Sequence, residues 1–249
     1  MTASAVGTNW RVVAASVEGT SHAGTDLGCQ DAHAVATLDG GLVIAVADGA
    51  GSAPRAGEGA GVAVAAAIGH AMANAAAHDD DPAGLATGCV DAARFALEEQ
   101  AADDDLGELA TTLLVVVALG SRLGMAQVGD GAVIVDTGVG LQVVGAVERG
   151  EYLNETTFLT SSAWANERRV DRVDGSLEGV AVMSDGLQLL ALDLAAMEAH
   201  VPFFEPLWAF ARAEGSTSAE LAAFLASERV CARTDDDKTL VLAVVSPDP

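Results

Sequence analysis

Leu42-Val-Ile-Ala-Val-Ala-Asp48-Gly49 is the stretch that decides the fold, because six apolar residues lead directly into an aspartate and a glycine. The pattern occurs twice more, in Val128-Gly-Asp130-Gly131 and Val182-Met-Ser-Asp185-Gly186. Aspartate is rare inside strands, and a strand end is where a rigid sheet passes into a loop, so these carboxylates can converge at one edge of a core. Glycine beside each aspartate lets the backbone approach a ligand closely. The three stretches therefore predict a shared site at strand ends.

Two further acidic positions fit this set. They are Asp31, in Cys29-Gln30-Asp31-Ala32-His33, and the run Asp235-Asp236-Asp237 before the last apolar segment. Without cations, so many carboxylates packed together would repel one another and shift each other's pKa values. Bound Mg²⁺ or Mn²⁺ removes that repulsion, and carboxylates, carbonyls and water are the ligands that these ions prefer. The pattern thus indicates a site for hard divalent cations.

Composition indicates a globular protein with an acidic surface. The 249 residues are 51% hydrophobic, which is enough to bury a substantial core, and we expect one domain spanning residues 1–249. The formal charge is −24, and Lys238 is the only lysine. Because phosphate contacts need clustered Lys and Arg, these numbers argue against nucleic acid as a partner.

The distribution of apolar residues and cysteines bears on location. No run of eighteen apolar residues occurs, and the first residues lack a basic segment followed by a hydrophobic one, so we expect a cytoplasmic protein with no membrane partner. Cys29, Cys89 and Cys231 are odd in number and widely spaced. This pattern predicts reduced, mostly buried thiols, with neither a disulfide framework nor a thiolate metal site.

The first half of the chain changes its hydrophobic period after Asp48. Before it, short β-branched or alternating segments predict strands at 11–17, 32–38 and 42–47, and Asp39-Gly40-Gly41 predicts a hairpin turn between the last two. After it, small apolar residues predict helices at 54–78 and 83–101.

The second half begins as strands and continues with helices. Residues 112–119, 124–128, 132–136 and 141–144 predict an antiparallel meander. After a polar stretch we expect a strand at 180–184, helices within 187–194, 205–213 and 218–228, and a final strand at 239–245. This order predicts two central sheets with helices packed on both outer faces.

Taken in order, six motifs resemble those of the PP2C family of metal-dependent serine/threonine protein phosphatases, over nearly the whole chain. They are Gln30-Asp31-Ala-His33, Val46-Ala-Asp48-Gly49-Ala-Gly51-Ser52, Thr111-Thr112-Leu-Leu-Val115, Val128-Gly-Asp130-Gly131, Met183-Ser-Asp185-Gly186-Leu187 and Asp236-Asp237-Lys-Thr239. The bacterial branch is similar also in Ser21-His22 and in residues 151–158. A single Asp-Gly pair is a weak signal, whereas six ordered motifs are specific.

The resemblance implies an α+β fold, an αββα sandwich whose two central antiparallel sheets carry a binuclear Mn²⁺ or Mg²⁺ site at one end. Asp48 would bridge both metals, and the Gly49 carbonyl would hold one of them. The other implied ligands are Asp185 and Asp236 at the second metal, Asp31 directly or through water, and Asp130 with Asp185 at a third, weaker metal. Asp235 and Asp237 are expected to be solvated neighbours, unless the register shifts by one residue.

The chain departs from the family at two positions of the metal site. Gln30 stands where the family usually has Glu, which removes one negative charge but leaves an amide able to hold water. Ala50 stands where members often have the His that gives a proton to the leaving alkoxide. Metal-bound water, His22 or His33 are the alternative proton donors.

A further departure concerns the binding of phosphate. Many relatives carry an arginine four or five residues before the first aspartate, where this chain has Asp26 and Leu27. Arg55, in the first turn after the Asp48 loop, is the candidate replacement, because a helix N-terminus with a nearby guanidinium suits a phosphate. His22 is the competing candidate.

The resemblance implies a cytoplasmic phosphatase that hydrolyses phosphoserine and phosphothreonine in proteins and opposes a Ser/Thr kinase. One alternative is a catalytically silent module that keeps the fold and binds a phosphoprotein, which the departures at Gln30 and Ala50 would explain. Another is a phosphatase for small phosphorylated molecules or cyclic nucleotides. A comparison of phosphopeptide and metabolite turnover would separate the enzymatic alternatives.

Overall fold

A computed structural model describes residues 9–22, 28–78, 80–145 and 156–246. Strands within these ranges are β1 (Trp10–Val17), β2 (Ala32–Leu38), β3 (Gly41–Ala47), β4 (Leu113–Leu119), β5 (Arg122–Val128), β6 (Ala132–Asp136), β7 (Leu141–Val144), β8 (Arg169–Asp174), β9 (Gly179–Met183), β10 (Leu192–Asp193), β11 (Glu198–Ala199) and β12 (Lys238–Val245). Most lie within a few residues of the predicted bounds.

Helices in the described ranges are α1 (Ala56–Asn74), α2 (Pro82–Ala101), α3 (Trp164–Glu167), α4 (Gln188–Ala191), α5 (Val201–Arg212), α6 (Ser218–Leu225) and α7 (Glu228–Cys231). Local chemistry sets where they begin. Pro82 occupies the first turn of α2, and the Asp81 side chain accepts a hydrogen bond from Gly84 N at 3.0 Å. Thr217 and Glu220 form a capping box that starts α6.

Two five-stranded antiparallel sheets form the centre of the molecule. The first sheet has the order β2-β3-β4-β5-β8, and the second has the order β1-β12-β9-β6-β7. In the second sheet β12 lies between β1 and β9, with Leu240 opposite Ala15 on one side and Met183 on the other. Strands from both ends of the described chain therefore complete the same sheet.

Three layers of apolar side chains hold these elements together. One layer lies between the sheets and includes Ile44, Val116, Val182 and Val241, all essentially inaccessible to solvent. A second layer joins α1 and α2 to the first sheet, and a third joins α5 and α6 to the second sheet. The prediction of two sheets between helical layers is confirmed.

Helix α1 is rich in small apolar residues. By length and composition alone, residues 56–77 would be long enough to cross a membrane. Here a row of buried alanines, among them Ala60, Ala63 and Ala67, packs against α2 and against β2 and β3. Packing onto a sheet thus accounts for the apolar character of this face.

One expectation about the strands is wrong, and one strand of the first sheet was not predicted. The predicted meander over 112–144 is wrong, because β5 belongs to the first sheet and β6 to the second. The chain crosses between the sheets at residues 129–131, where Gly129 has a φ of +110°. Strand β8 was not predicted, because its sequence, Arg169-Val-Asp-Arg-Val-Asp174, is mostly polar and suits the exposed edge of a sheet.

Candidate functional site

The three Asp-Gly stretches meet at one shared end of the two sheets, around a cavity of about 160 Å³. Asp48 follows β3 of the first sheet, Asp185 follows β9 of the second, and Asp130 lies in the crossing between them. The cavity is lined by His22, Asp48, Gly49, Ala50, Gly51, Thr112, Asp130, Thr156, Phe158, Asp185, Asp236 and Asp237. The predicted convergence of carboxylates is therefore present.

The backbone of Asp48 is fixed by the two threonines that precede β4. Asp48 N donates a hydrogen bond to Thr112 Oγ1 at 3.0 Å. In return, Thr112 N and Thr111 Oγ1 donate to the Asp48 carbonyl at 2.8 and 3.0 Å. The strand pairing of β3 with β4 thus continues into the site, so the Asp48 carboxyl projects from a rigid base.

Gly49 lies where a side chain would not fit. A Cβ atom there would come within 2.7 Å of Ala56 C and 2.9 Å of Gln30 O. Glycine is therefore required by close packing of three backbone segments.

Asp48 and Asp185 interact directly, and both have perturbed pKa values. Burial, reinforced by the charges of Asp31 and Asp185, raises the pKa of Asp48 to about 11. Its protonated carboxyl can then donate a hydrogen bond to Asp185. Burial also raises the pKa of Asp185, with the charges of Asp130 and Asp236 adding to the effect. Without a cation, the carboxyl groups of Asp48 and Asp185 therefore keep their protons to higher pH than exposed aspartates do.

Asp31 lies behind the cavity in a polar cluster. Ser184 Oγ donates a hydrogen bond to its Oδ2 at 2.7 Å, and Ser184 Oγ in turn accepts one from Thr239 N at 3.0 Å. Burial raises the pKa of Asp31 to about 7, with the charges of Asp237 and Asp185 contributing. Asp31 thus belongs to the same electrostatic cluster as Asp48.

Asp236 and Asp237 have different roles, although they are adjacent. Both residues line the cavity, but only Asp236 is exposed. Asp237 is 2% exposed, and its two oxygens accept hydrogen bonds from Gly19 N and Gln30 N, both at 2.6 Å. The expectation that Asp237 is a solvated neighbour is wrong, because this carboxylate joins β12 to the segments that carry His22 and Asp31.

Lys238, the only lysine, is completely buried next to this pair. Its Nζ donates to the Asp236 carbonyl at 2.9 Å and lies 3.4 Å from the Glu18 carbonyl. A buried ammonium is costly unless hydrogen-bonded, so these carbonyl contacts hold the turn that carries Asp236.

The two histidines predicted as proton donors lie in different places. His22 lines the cavity, and its Nδ1 is 3.2 Å from Asp237 Oδ1. His33 lies on β2 and is not among the cavity residues; its Nδ1 is 2.8 Å from Ser16 Oγ, and burial lowers its pKa. The structure therefore brings His22, but not His33, to the carboxylates.

Arg55 is not among the residues lining the cavity either. Its guanidinium donates to both oxygens of Glu58, at 2.8 and 2.9 Å, and to Asp104 at 3.1 Å. Three of the five N–H groups of its guanidinium are thus directed at carboxylates. Asp26 and Leu27, the other positions compared, lie outside the described residues.

Asp130 is held from two sides. Thr156 Oγ1 donates to its Oδ2 at 2.7 Å, and Gln188 Nε2 donates to its carbonyl. Asp130 therefore belongs to the cavity wall and reaches the same space as Asp185.

Unsatisfied oxygens at this site indicate what it can hold. Gln30 Oε1, Asp31 Oδ1 and Asp185 Oδ1 are buried and have no hydrogen-bond partner among the described residues. Among the described residues, no group of three Asp, Glu, His or Cys side chains is arranged as a set of metal ligands. Asp48 and Asp185 are instead hydrogen-bonded to each other. Such oxygens suit a hard divalent cation, whose binding would displace the Asp48 proton.

Comparison with known proteins places the chain in a family. A family model described as Protein phosphatase 2C matches residues 18–226. A protein of Escherichia coli (strain K12), named Serine/threonine-protein phosphatase 3, is 37% identical over 251 residues, which cover 95% of this chain and 98% of that protein. The chain belongs to the protein phosphatase 2C family.

Solved structures agree with this PP2C assignment at the level of the fold. The crystal structure of a bacterial serine phosphatase has a TM-score of 0.67 at 13% identity and covers 97% of this chain and 100% of that chain. The serine/threonine phosphatase Stp1 from Staphylococcus aureus has a TM-score of 0.64 at 13% identity and covers 99% of each chain. The predicted family and the predicted αββα fold are confirmed.

Several residues of this PP2C site were missed from the sequence. The hydrogen bonds of Asp237 and the burial of Lys238 depend on β12 packing against the N-terminal segments, which lie more than 200 positions away in sequence. Phe158 is an aromatic residue in a polar stretch, and it packs beside the cavity on Ala50, Ala53 and Ala110. Only Phe158 carried a sequence signal, since Phe158-Leu159 is an apolar pair within this stretch.

Proposed function

We propose that this protein is a metal-dependent phosphatase that removes phosphate from phosphoserine and phosphothreonine in proteins. The enzyme class is that of its family, the PP2C-type protein phosphatases. The observation that carries the mechanism is the cavity at which Asp48, Asp185 and Asp236 converge beside buried, unsatisfied oxygens. The serine/threonine phosphatase name of the Escherichia coli relative supports the substrate class.

The chain would hold two Mn²⁺ or Mg²⁺ ions. Asp48, the Gly49 carbonyl, Asp185 and Asp236 would hold them, with Asp31 bound directly or through water. Asp130 with Asp185 would form a third, weaker site. When bound, such ions lower the pKa of water and neutralise charge on a transferring phosphoryl group.

Residues around the cavity position the metal ligand Asp48. Thr111 and Thr112 fix the base of Asp48, so little reorganisation of this ligand is needed. No Arg or Lys lines the cavity in the described ranges, and bound cations would offset part of the phosphoryl charge.

His22 is the proposed proton donor to the leaving seryl or threonyl oxygen. Its Nδ1 faces the buried Asp237 at 3.2 Å, which leaves Nε2 as the nitrogen for the substrate. His22 would take the role of the histidine that many family members carry at the position of Ala50. His22→Gln should lower kcat about a hundredfold, while Mn²⁺ affinity is unchanged.

The cellular setting is proposed from composition and family. The substrate is a phosphorylated protein, the counterpart is a Ser/Thr kinase, and the location is the cytoplasm. We further propose that residues 1–249 act as one phosphatase domain, since strands β1 and β12 from opposite ends of the chain pair with each other.

The test is hydrolysis of a phosphothreonine peptide, p-nitrophenyl phosphate and small phosphorylated metabolites, with Mn²⁺, Mg²⁺ or EDTA. We expect turnover that requires the metal, prefers the peptide to metabolites and disappears in Asp48→Ala. Preference for a metabolite would favour a small-molecule phosphatase. Tight Mn²⁺ binding without turnover would favour a silent phosphoprotein-binding module.

A further inference from the structure

One side of the cavity is formed by residues 156–161, here called the pocket wall. Thr156 and Phe158 of this wall line the cavity. Phe158 also packs on the small apolar cluster of Ala50, Ala53 and Ala110. The position of the wall therefore determines the shape of the space beside the carboxylates.

Arg94 of α2 holds the pocket wall from outside the cavity. Its Nη1 donates to the Leu159 carbonyl at 2.7 Å and to the Ser161 carbonyl at 3.1 Å. Its Nε donates to Glu98 at 2.8 Å, and its side chain is only 14% exposed. One guanidinium thus bridges two carbonyls of the wall and is itself oriented by a carboxylate of the same helix.

The pocket wall is also attached to Thr111, so the loss of Arg94 would release only part of it. Leu159 is fully buried, and its N–H donates to the Thr111 carbonyl at 2.7 Å. Thr111 is the residue whose hydroxyl holds the Asp48 carbonyl. Arg94 and Thr111 therefore fix Leu159 from both sides, one residue beyond Phe158.

We propose that Arg94 is a positioning residue that sets the affinity of the enzyme for its phosphorylated peptide by fixing the pocket wall. Bonds from a charged donor are stronger than neutral ones, and their loss leaves two partly buried carbonyls without this donor. The wall would then move relative to Asp48, whose backbone keeps its hydrogen bonds to Thr111 and Thr112, although the bond that Thr156 donates to Asp130 would weaken. The inference rests on the proposed phosphatase function.

Arg168 offers a matched control. Both guanidinium groups stack on Trp164, Arg94 at 5.9 Å and Arg168 at 5.5 Å from the ring centre. Arg168 pairs with Asp91 of α2 and makes no bond to residues 156–161 in the described part of the chain. Arg94→Met and Arg168→Met therefore remove the same charge and a similar stacking contact, but only the first releases the wall.

The experiment measures KM and kcat for a phosphothreonine peptide at saturating Mn²⁺, Mn²⁺ affinity by calorimetry, and hydrogen exchange of the wall amides. For Arg94→Met we expect KM to rise about tenfold, kcat to change less than about threefold, and Mn²⁺ affinity to stay within about twofold. Exchange at Leu159 and Ser161 should be about tenfold faster. Arg168→Met should match the wild type in all four readouts.

Three results would overturn the inference: unchanged KM and exchange in Arg94→Met, an equal rise in KM in Arg168→Met, or a loss of Mn²⁺ affinity. If Arg94→Met does not fold, Arg94→Lys replaces it, because an ammonium cannot reproduce the planar bridge between two carbonyls. Wild-type KM and exchange in Arg94→Lys would then contradict the inference. An inactive wild-type protein would refute the proposed function, whereas the exchange measurement would still decide whether Arg94 holds the wall.

Discussion

The two sheets meet in two contrasting ways. Over most of their length they share an apolar interface that includes Ile44 and Val182, and at one end they share a cluster of carboxylates around Asp48 and Asp185. Each of β3 and β9 contributes to both regions within a few residues. The apolar interface stabilises the fold at any pH, whereas the acidic end is compatible with the fold only with bound protons or cations. The proposed catalytic site therefore lies at the part of the interface between the sheets that contributes least to stability when no proton or cation is bound.

The largest expected effect comes from replacing Asp48, the carboxylate shared by the ends of the two sheets. Asp48→Asn should lower kcat/KM at least about a thousandfold, because the proposed bridging ligand is lost. Stability without metal should change little, since Asp48 already holds a proton under those conditions. Steady-state kinetics and urea unfolding in EDTA check both points. Asp235→Asn, at an exposed neighbouring position, is the control that should keep activity.

The second prediction concerns pH and the acidic end. The pKa of Asp31 is raised to about 7 in the folded protein, so the folded state binds its proton more tightly than the unfolded state. Without metal, this contribution to stability is fully present below about pH 4 and lost as pH rises to about 7, a loss of up to about 4 kcal/mol. Urea unfolding in EDTA near pH 5 and pH 8 measures most of this loss, about 3 kcal/mol.

Asp31→Asn is the matched control, because an amide does not titrate and should remove the Asp31 part of this pH dependence, leaving the part that comes from Asp48. Saturating Mn²⁺ should reverse the sign in the wild type, since ions bind the deprotonated carboxylates. Greater stability near pH 8 than near pH 5 in EDTA would count against the proposed electrostatics.

The third prediction concerns the apolar interface. Ile44 is completely buried between the sheets, so Ile44→Ala should lower the free energy of unfolding by about 3 kcal/mol through lost burial and a residual cavity. Mn²⁺ affinity of the folded fraction should remain close to that of the wild type. A strong loss of metal affinity would show that the two regions are not separable.

Much of the apolar interface could be predicted from sequence, because alternating or continuous apolar runs identify strands such as β3 and β4. Partners of strands could not, since neighbours in a sheet are chosen by packing over long sequence distances. Gly129-Asp130-Gly131 therefore predicted a turn within one sheet but is the crossing between two. The edge strand β8 is largely polar and carries little apolar periodicity.

Candidate ligands of the acidic end were found because Asp-Gly after an apolar run is a local signal, and the cavity does collect Asp48, Asp130, Asp185 and Asp236. Charges that act through distant partners have no such signal. Arg55 looked available near a helix start, yet it pairs with Glu58 three residues later and with the distant Asp104.

The smallest expected effect follows from that placement. Arg55→Ala should change kcat and KM for a phosphopeptide less than about twofold, because its guanidinium is already paired and does not line the cavity. A KM increase of about tenfold would restore Arg55 as the phosphate-binding residue.

The most direct test of the carboxylate site is calorimetric titration with Mn²⁺ near neutral pH in two buffers of different ionisation enthalpy. The difference in heat counts the protons released on binding. Because Asp48 has a pKa raised to about 11, we expect Mn²⁺ binding to release about one proton or more, and Asp48→Asn to lose both the release and most of the affinity. Mn²⁺ binding without proton release, or binding that survives in Asp48→Asn, would contradict the account.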